Sequence, residues 1–203
     1  MNSARENPPP FTLTTVLFIG GESRRMGTDK ATLNFNGQPL WSRQLGVLRE
    51  LEPKKVLISG RARPAWLPAD IEVVLDESPS RGPLSGLAAA LKTARTTHLL
   101  ALAVDLPRMT SAHLEEIWKF AKPDCGVIPV NGDHLETLCA IYSVTGSVIA
   151  ASNHALVSRD LSLQSFARDL LDAKALGAFA IKSADQPLYF NANTPEEFSS
   201  ICS

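Results

Sequence analysis

The amino-acid sequence predicts an α/β protein in which helices cover both faces of a mostly parallel sheet. Short apolar segments of strand length alternate with longer segments in which apolar residues recur every three or four positions, and this alternation is typical of successive β-α-β units. The strand-like segments are apolar on both faces, as expected for a sheet covered on both sides. A chain of 203 residues, 44% hydrophobic and 20% charged, is long and apolar enough for one domain with a sizeable core.

The predicted elements follow one another along the chain without an internal repeat. The strands are Thr14–Ile19, Lys55–Ser59, Glu72–Leu75, Leu99–Val104, Gly126–Val130, Thr137–Tyr142 and Ala178–Lys182, and the helices are Leu40–Leu51, Leu84–Ala94, Ser111–Lys122, Gly146–Val157 and Leu163–Asp172. A last helix is indicated after Thr194, because Pro195 suits a first helical turn and Glu197 can complete a capping box. Residues 1–12, which include three consecutive prolines, are expected to form a disordered leader before a single domain of residues 13–203.

The charge and the cysteines exclude several classes of function. With 20 Lys and Arg against 21 Asp and Glu, the net charge is −1, so we expect neither nucleic acid nor a membrane surface as a partner. The longest apolar run, Leu99–Val104, is far shorter than a membrane helix, and no secretory signal precedes the first strand, so we expect a cytoplasmic location. The three cysteines and four histidines lack metal-ligand spacing, and we expect them to be structural or solvated.

The segment after the first strand carries the strongest chemical signal. Gly20 and Gly21 are followed by Arg24, Arg25 and Lys30. Adjacent glycines let backbone amides approach a ligand closely, and the three cations can neutralise phosphates, so the segment predicts a phosphate site. A tight turn followed by a solvated basic loop is the alternative. The spacing fits neither a P-loop nor a dinucleotide fingerprint.

The string Gly20-Gly21-x-Ser23-x-Arg25-Met26-Gly27-x-Asp29-Lys30 resembles the signature loop of the molybdenum cofactor guanylyltransferases, a family of MobA-like nucleotidyltransferases. Three further segments match the family in order: Asp76 with Arg81–Leu87, the strand ending in Asp105-Leu106-Pro107, and Asn191–Glu197. The segments 133–142 and 159–166 are similar to those that face the pterin in the family. The resemblance implies a three-layer Rossmann-like nucleotidyltransferase fold.

The resemblance also implies an activity, the transfer of GMP from GTP to the terminal phosphate of molybdopterin-bound molybdenum cofactor with release of pyrophosphate. It implies Mg²⁺ as cofactor, and molybdoenzyme maturation proteins as candidate partners besides the two substrates. Asp105 is the expected Mg²⁺ ligand, since an acid at the C-terminal end of a parallel strand lies where such sheets bind ligands, and Mg²⁺ takes few carboxylates plus phosphates. Capping of the next turn is the alternative role for Asp105.

The expected site residues fall into three groups by role. The catalytic residues are Arg25, Lys30 and Asp105; the nucleotide-binding residues are Phe18, Ile19, Gly20, Gly21, Lys30, Ser59, Asp76, Gly82, Pro83, Leu84, Gly86 and Asp105; and Asn191 and Asn193 lie on the side of the pterin substrate.

Three departures from the family pattern bear on function: Ile19 replaces an alanine, Ser59 an asparagine, and His134 with Leu135 a basic or proline-containing turn. Cytidylyl transfer, transfer to a sugar phosphate, and nucleotide binding without catalysis are the alternative functions.

Overall fold

A computed structural model describes residues 11–20, 30–76, 82–158 and 160–191 of the chain. Within these residues it has ten strands: β1 (Leu13–Phe18), β2 (Asn34–Phe35), β3 (Gln38–Pro39), β4 (Lys55–Gly60), β5 (Glu72–Leu75), β6 (His98–Ala103), β7 (Gly126–Asn131), β8 (His134–Leu135), β9 (Cys139–Ser143) and β10 (Leu176–Ala180). The same residues form five α-helices: α1 (Leu40–Arg49), α2 (Pro83–Thr93), α3 (Ser111–Trp118), α4 (Gly146–Val157) and α5 (Leu163–Asp172). Two short 3-10 turns lie at Lys30–Thr32 and Gln186–Tyr189.

Eight of the ten strands form one mixed sheet in the order β10-β7-β9-β6-β1-β4-β5, with β8 paired to β7, and β2 and β3 form a separate two-stranded sheet. Strand β1 runs parallel to both β4 and β6, and β4 runs parallel to β5. Strand β9 is antiparallel to β6 and β7. The α/β fold with a mostly parallel sheet, predicted from the sequence, is confirmed, and β9 and the short β8 are its antiparallel strands.

Helices cover both faces of the sheet, so its core is divided in two. One cluster includes Leu45 and Leu48 of α1 and Leu114 of α3. The other includes Leu87 of α2, with residues of α4 and α5 such as Phe166. Two apolar faces on one sheet explain why its strands are apolar on both sides, as the sequence analysis assumed.

Some predicted bounds are wrong, and two short strand pairings, β2 with β3 and β7 with β8, were not predicted. The last predicted strand lies two residues earlier, at Leu176–Ala180, and the strand predicted from Thr137 begins at Cys139. Strands β2 and β3 form a hairpin whose turn, Asn36 and Gly37, has positive φ at both positions. Asn-Gly between short apolar segments is the usual signal for this turn. The sequence therefore contained the signal for the β2–β3 hairpin.

Some predictions concern segments that lie wholly or partly outside the described residues. The predicted helix after Thr194 and most of the predicted leader lie outside them. Residues 11 and 12, which the prediction placed in the leader, pack on the protein: the Phe11 ring lies 5.2 Å from that of His98, and the Thr12 amide donates to Thr97 Oγ1. No helix of the described residues is long and apolar enough to cross a membrane.

Candidate active site at the C-terminal edge of the sheet

Four parallel strands end at the same edge of the sheet and bring the predicted polar residues together. Phe18 at the end of β1 is in register with Ser59 on one side and with Ala103 on the other. Asp105 therefore follows the end of β6 beside the segment that follows β1. The chain continues from β1 to β4 on one side and later to β6 on the other, which makes this edge a topological switch point, where open α/β sheets bind ligands.

Asp105 and Lys30 form an ion pair at this edge. The Lys30 Nζ lies 3.6 Å from the Asp105 Oδ2, and the side chains are 15% and 24% exposed. Burial raises the pKa of the Asp105 carboxyl, and the positive charge of Lys30 opposes that shift. The electrostatics therefore favour a positive charge next to this carboxylate, as supplied by Lys30 or by a bound cation.

Asn191 approaches Asp105 from the opposite end of the chain. With its amide oriented so that the nitrogen faces Asp105, Asn191 Nδ2 donates to both carboxylate oxygens, at 2.8 and 3.1 Å, and lies 3.0 Å from the main-chain oxygen of Asp105. The structure thus brings together two residues that the sequence placed on different substrates.

Helix α1 holds the segment after Asp105. Arg43 Nε donates to the Pro107 carbonyl at 2.7 Å, and the Gln44 amide donates to the Leu106 carbonyl. Gln44 is fully buried. These bonds fix the main chain on the C-terminal side of Asp105, so its carboxylate is presented by a supported loop rather than by a free one.

Residues 82–86, at the start of α2, lie on the other side of β1 and are called the rim below. Gly82 caps this helix with φ 74° and ψ −162°, a conformation that favours glycine, and Pro83 occupies the first turn. At Gly86, an added Cβ would lie 2.1 Å from Ser59 Oγ and 3.1 Å from both Asp76 Oδ1 and Phe18 Cε1. Only a residue without a side chain fits here, so Gly86 lets α2 approach the ends of β1, β4 and β5.

Several residues predicted to bind nucleotide are buried beneath this rim. Phe18, Ser59 and Leu84 are 4%, 3% and 0% exposed. Their side chains lie beneath the start of α2 and support it. Their predicted contact with nucleotide stays a prediction.

Ile19 and Gly20 directly follow β1, and their surroundings show which neighbours each one packs against. The Ile19 side chain packs with the core cluster of α1 and α3, on the face of the sheet opposite Phe18, and lies 3.3 Å from the point where a Cβ of Gly60 would be. Its bulk is therefore accommodated by Gly60 and not by the pocket side. At Gly20, the nearest described atom to an added Cβ is Gly60 Cα at 3.9 Å, an ordinary contact, so the described residues themselves do not require glycine there.

The turn before β9 forms the remaining border of the site. Glu136 is mostly buried, and its Oε1 lies 3.9 Å from His134 Nε2. Burial raises the pKa of the Glu136 carboxyl, His134 opposes the shift, and the negative charge of Asp105 adds to it, which places Glu136 in the electrostatic range of the site. Gln164 of α5 holds the turn by accepting from the Leu135 amide and donating to its carbonyl.

Several residues of the sequence-based interpretation lie outside the described residues. They include Gly21, Arg24 and Arg25 of the basic loop, Arg81, Arg159 before α5, and residues 192–197 with Asn193. Their predicted roles stay predictions.

From the sequence, His113 is expected to be structural or solvated, and Tyr189 carries no signal. In the structure, His113 Nε2 lies 2.8 Å from Tyr189 Oη, and both residues are buried. His113, Glu116 and Asp185 form the one group in the described ranges whose three ligand atoms lie within 4.8 Å of one another, with Lys182 Nζ 2.7 Å from Glu116. Only the His-x-x-Glu spacing on α3 hinted at this group, because Asp185 and Tyr189 are about seventy positions away along the chain.

The residues at Asp105 fit a Mg²⁺ ion by the chemistry of their donors. The carboxylate of Asp105 can supply oxygen ligands, and the Asn191 amide nitrogen, which donates to that carboxylate, orients it. Asp105 belongs to no group of three clustered ligands among the described residues. A cation there would take its other ligands from phosphates and water, which is the usual coordination of Mg²⁺ in nucleotide sites.

The fold and the site together define a class, the α/β transferases that bind a nucleotide at the switch point of the sheet. Residues 15–189 match the family model of the MobA-like NTP transferase domain. The chain belongs to this family and is a nucleotidyltransferase.

Individual relatives agree with this assignment. The chain is 33% identical over 188 residues to a probable molybdenum cofactor guanylyltransferase of Opitutus terrae, covering 91% of this chain and 92% of the relative. It is 33% identical over 198 residues to a molybdenum cofactor guanylyltransferase of Pseudomonas fluorescens, with 96% of each chain covered. The crystal structure of molybdopterin-guanine dinucleotide biosynthesis protein A from Archaeoglobus fulgidus has the same fold, with a TM-score of 0.69, 20% identity and coverage of 93% and 96%.

Proposed function

We propose that this nucleotidyltransferase transfers GMP from GTP to the terminal phosphate of a molybdopterin-type cofactor and releases pyrophosphate. The observation that carries the proposal is the Lys30–Asp105 pair at 3.6 Å, at the switch point of the sheet, with Asn191 on the same carboxylate. The names of the relatives supply the guanylyl donor and the pterin acceptor. The cytoplasmic location remains a prediction from the sequence.

The reaction requires alignment and charge neutralisation more than covalent help from the protein. The acceptor phosphate attacks the α-phosphorus of GTP, and pyrophosphate leaves on the opposite side. In the proposal, the rim from Gly82 to Gly86 borders the nucleoside, while the backbone after β1 and the Lys30 ammonium border the triphosphate. A fixed cation beside the transferring phosphate stabilises the charge that develops in the transition state.

Asp105 is the residue that would hold Mg²⁺, and Asn191 would orient its carboxylate. When bound, this ion supplies Lewis-acid stabilisation of charge on the phosphate oxygens. The protein's own contribution is to keep the carboxylate ionised and in place, through the nearby Lys30 and through the bonds from α1 to residues 106 and 107.

Incubation of the purified protein with molybdopterin cofactor, Mg²⁺ and one nucleoside triphosphate at a time tests the proposal. Mass spectrometry of the pterin product should show the addition of GMP from GTP and release of pyrophosphate. If CMP from CTP is added in preference to GMP from GTP, the protein is a cytidylyltransferase and the proposed guanylyl transfer is wrong.

The same incubation without Mg²⁺, or with EDTA, should give no product. Binding of GTP without any product, with the acceptor shown to be intact, would indicate a nucleotide-binding protein without catalysis and would contradict the proposal.

A further inference from the structure

We infer that the hydrogen bond between His113 and Tyr189 positions Asn191 against Asp105, so that these two buried side chains are positioning residues for nucleotidyl transfer. The inference rests on the proposed role of Asp105 and Asn191. It starts from a contact of 2.8 Å between His113 Nε2 and Tyr189 Oη, two groups that lie 76 residues apart in the sequence.

The two residues tie together the two chain segments that meet at Asp105. Tyr189 ends the 3-10 turn Gln186–Tyr189, and Asn191 is only two residues further on. His113 lies in the first turn of α3, eight residues after Asp105. The His113–Tyr189 bond and the Asn191–Asp105 bonds therefore close a ring, in which movement of one pair displaces the other.

A second contact between the same segments lies at the surface. The Arg108 guanidinium carbon is 5.9 Å from the centre of the Phe190 ring. Since Phe190 is 36% exposed, this cation–π contact contributes less than one that is shielded from water. Of the described contacts between these segments, the buried bond of His113 with Tyr189 is therefore the one best able to set the position of residues 189–191.

The surroundings keep His113 and Tyr189 in one orientation. Glu116 Oε2 lies 3.8 Å from His113 Nδ1, and the negative charge of Asp185 acts on the same ring. The positive charge of Lys182 compensates the negative charge of Glu116. The Tyr189 hydroxyl also interacts with the Cys139 thiol and lies in the electrostatic range of Glu136. Burial lowers the pKa of His113 and raises that of Tyr189, so burial favours the neutral form of both rings. A neutral imidazole has one donor and one acceptor nitrogen, and the bond needs only one of them.

His98 offers a matched control at the opposite edge of the sheet. It is buried like His113, and its two ring nitrogens contact Thr97 Oγ1 at 3.0 Å and the Lys122 carbonyl at 3.2 Å. It also packs edge-on against an aromatic ring, that of Trp118. His98 begins β6, whereas Asp105 follows its end. Loss of a buried histidine in general can thus be separated from loss of the bond near the site.

The test compares Tyr189→Phe, His113→Asn and His113→Gln with His98→Asn. Tyr189→Phe and His113→Asn should each lower kcat about fivefold, the effect of losing a hydrogen bond worth about 1 kcal/mol, while the KM for GTP changes less than twofold. The Mg²⁺ concentration for half-maximal rate should rise in both variants. His113→Gln, whose longer amide can reach the tyrosine hydroxyl, should recover part of kcat, and His98→Asn should leave kcat unchanged.

Hydrogen–deuterium exchange provides a readout that does not depend on turnover. The backbone amides of residues 186–191 should exchange faster in Tyr189→Phe and His113→Asn than in the wild type or in His98→Asn. An unchanged kcat in Tyr189→Phe, unchanged exchange at 186–191, or an equal loss of kcat in His98→Asn would overturn the inference. Absence of guanylyl transfer by the wild type would instead contradict the proposed function, and the exchange measurement would still test the positioning.

Discussion

The two sides of Asp105 are held in place by different means. On the side of β1, β4 and β5, parallel strands in register and a close approach of α2 at Gly86 set the geometry, mainly through backbone. On the side of β9, β7 and β10, side chains from distant segments do so, as in Gln164 with Leu135 and Asn191 with Asp105. A substitution therefore disturbs the first side mainly when it forces the backbone to move, whereas on the second side the loss of a single polar side chain is enough.

Asp105→Ala should have the largest effect, since this carboxylate touches both sides. We expect magnesium-dependent turnover to fall to background, because the Lys30 ammonium loses its partner and the proposed cation site loses its carboxylate. Pyrophosphate release with GTP and the pterin acceptor measures the loss. Asp169→Ala on the exposed face of α5 is the control and should keep wild-type activity. Turnover near the wild-type level in Asp105→Ala would show that Asp105 is not required for catalysis.

Lys30→Ala should follow, with kcat lowered by about 10²-fold, the effect of removing one fixed group that stabilises charge in a transition state. Lys30 stands at the start of the 3-10 turn next to Asp105, and its side chain is mostly buried, so water cannot fully replace its charge. Steady-state kinetics with GTP as the varied substrate measure the change. Lys92→Ala, at the far end of α2, is the control. An unchanged rate in Lys30→Ala would mean that the ion pair is structural only.

Gly86→Ala tests the backbone-defined side. The new Cβ would lie 2.1 Å from Ser59 Oγ, so the buried Ser59 side chain or α2 must shift, and we expect a cost to stability of about 1–3 kcal/mol and a higher KM for GTP. Gly46→Ala is the matched control: it lies within α1, no described atom is within 4 Å of its added Cβ, and alanine there should stabilise by about 0.5–1 kcal/mol.

The double variant Ser59→Ala/Gly86→Ala separates the contact from other effects of the substitution. Removal of the serine hydroxyl should restore most of the stability and of the KM for GTP. Chemical denaturation and kinetics of all four combinations form the cycle. Additive effects of the two substitutions would show that the approach of α2 to Ser59 does not shape the nucleotide side.

The two sides also differ in how far the sequence predicts them. The strands that deliver Gly20, Ser59 and Asp105 could be predicted, because each is an apolar segment that ends in a polar or glycine-rich turn, and parallel strands end at one edge. The direction of β9 could not, since a short strand buried on both faces reads the same in either direction. The His113–Tyr189 contact could not be predicted either, because it depends on how the chain after β10 returns to the start of α3. The face to which Ile19 points depends on Gly60 in the neighbouring strand, which no local pattern reveals.

Gln164→Ala should have the smallest effect and should be confined to the acceptor side. The Gln164 side chain makes two hydrogen bonds to Leu135, at 3.2 and 2.6 Å, as a neighbouring strand would, and so fixes the turn that leads to Glu136. Each bond is worth about 1 kcal/mol, so we expect the KM for the pterin acceptor to rise about fivefold or more. The KM for GTP should not change, because both hydrogen bonds of the Gln164 side chain go to Leu135, on the acceptor side of Asp105. Arg168→Ala, an exposed residue one turn further along α5, is the control. An equal rise in both KM values would show that the two sides are coupled more strongly than their separate supports indicate.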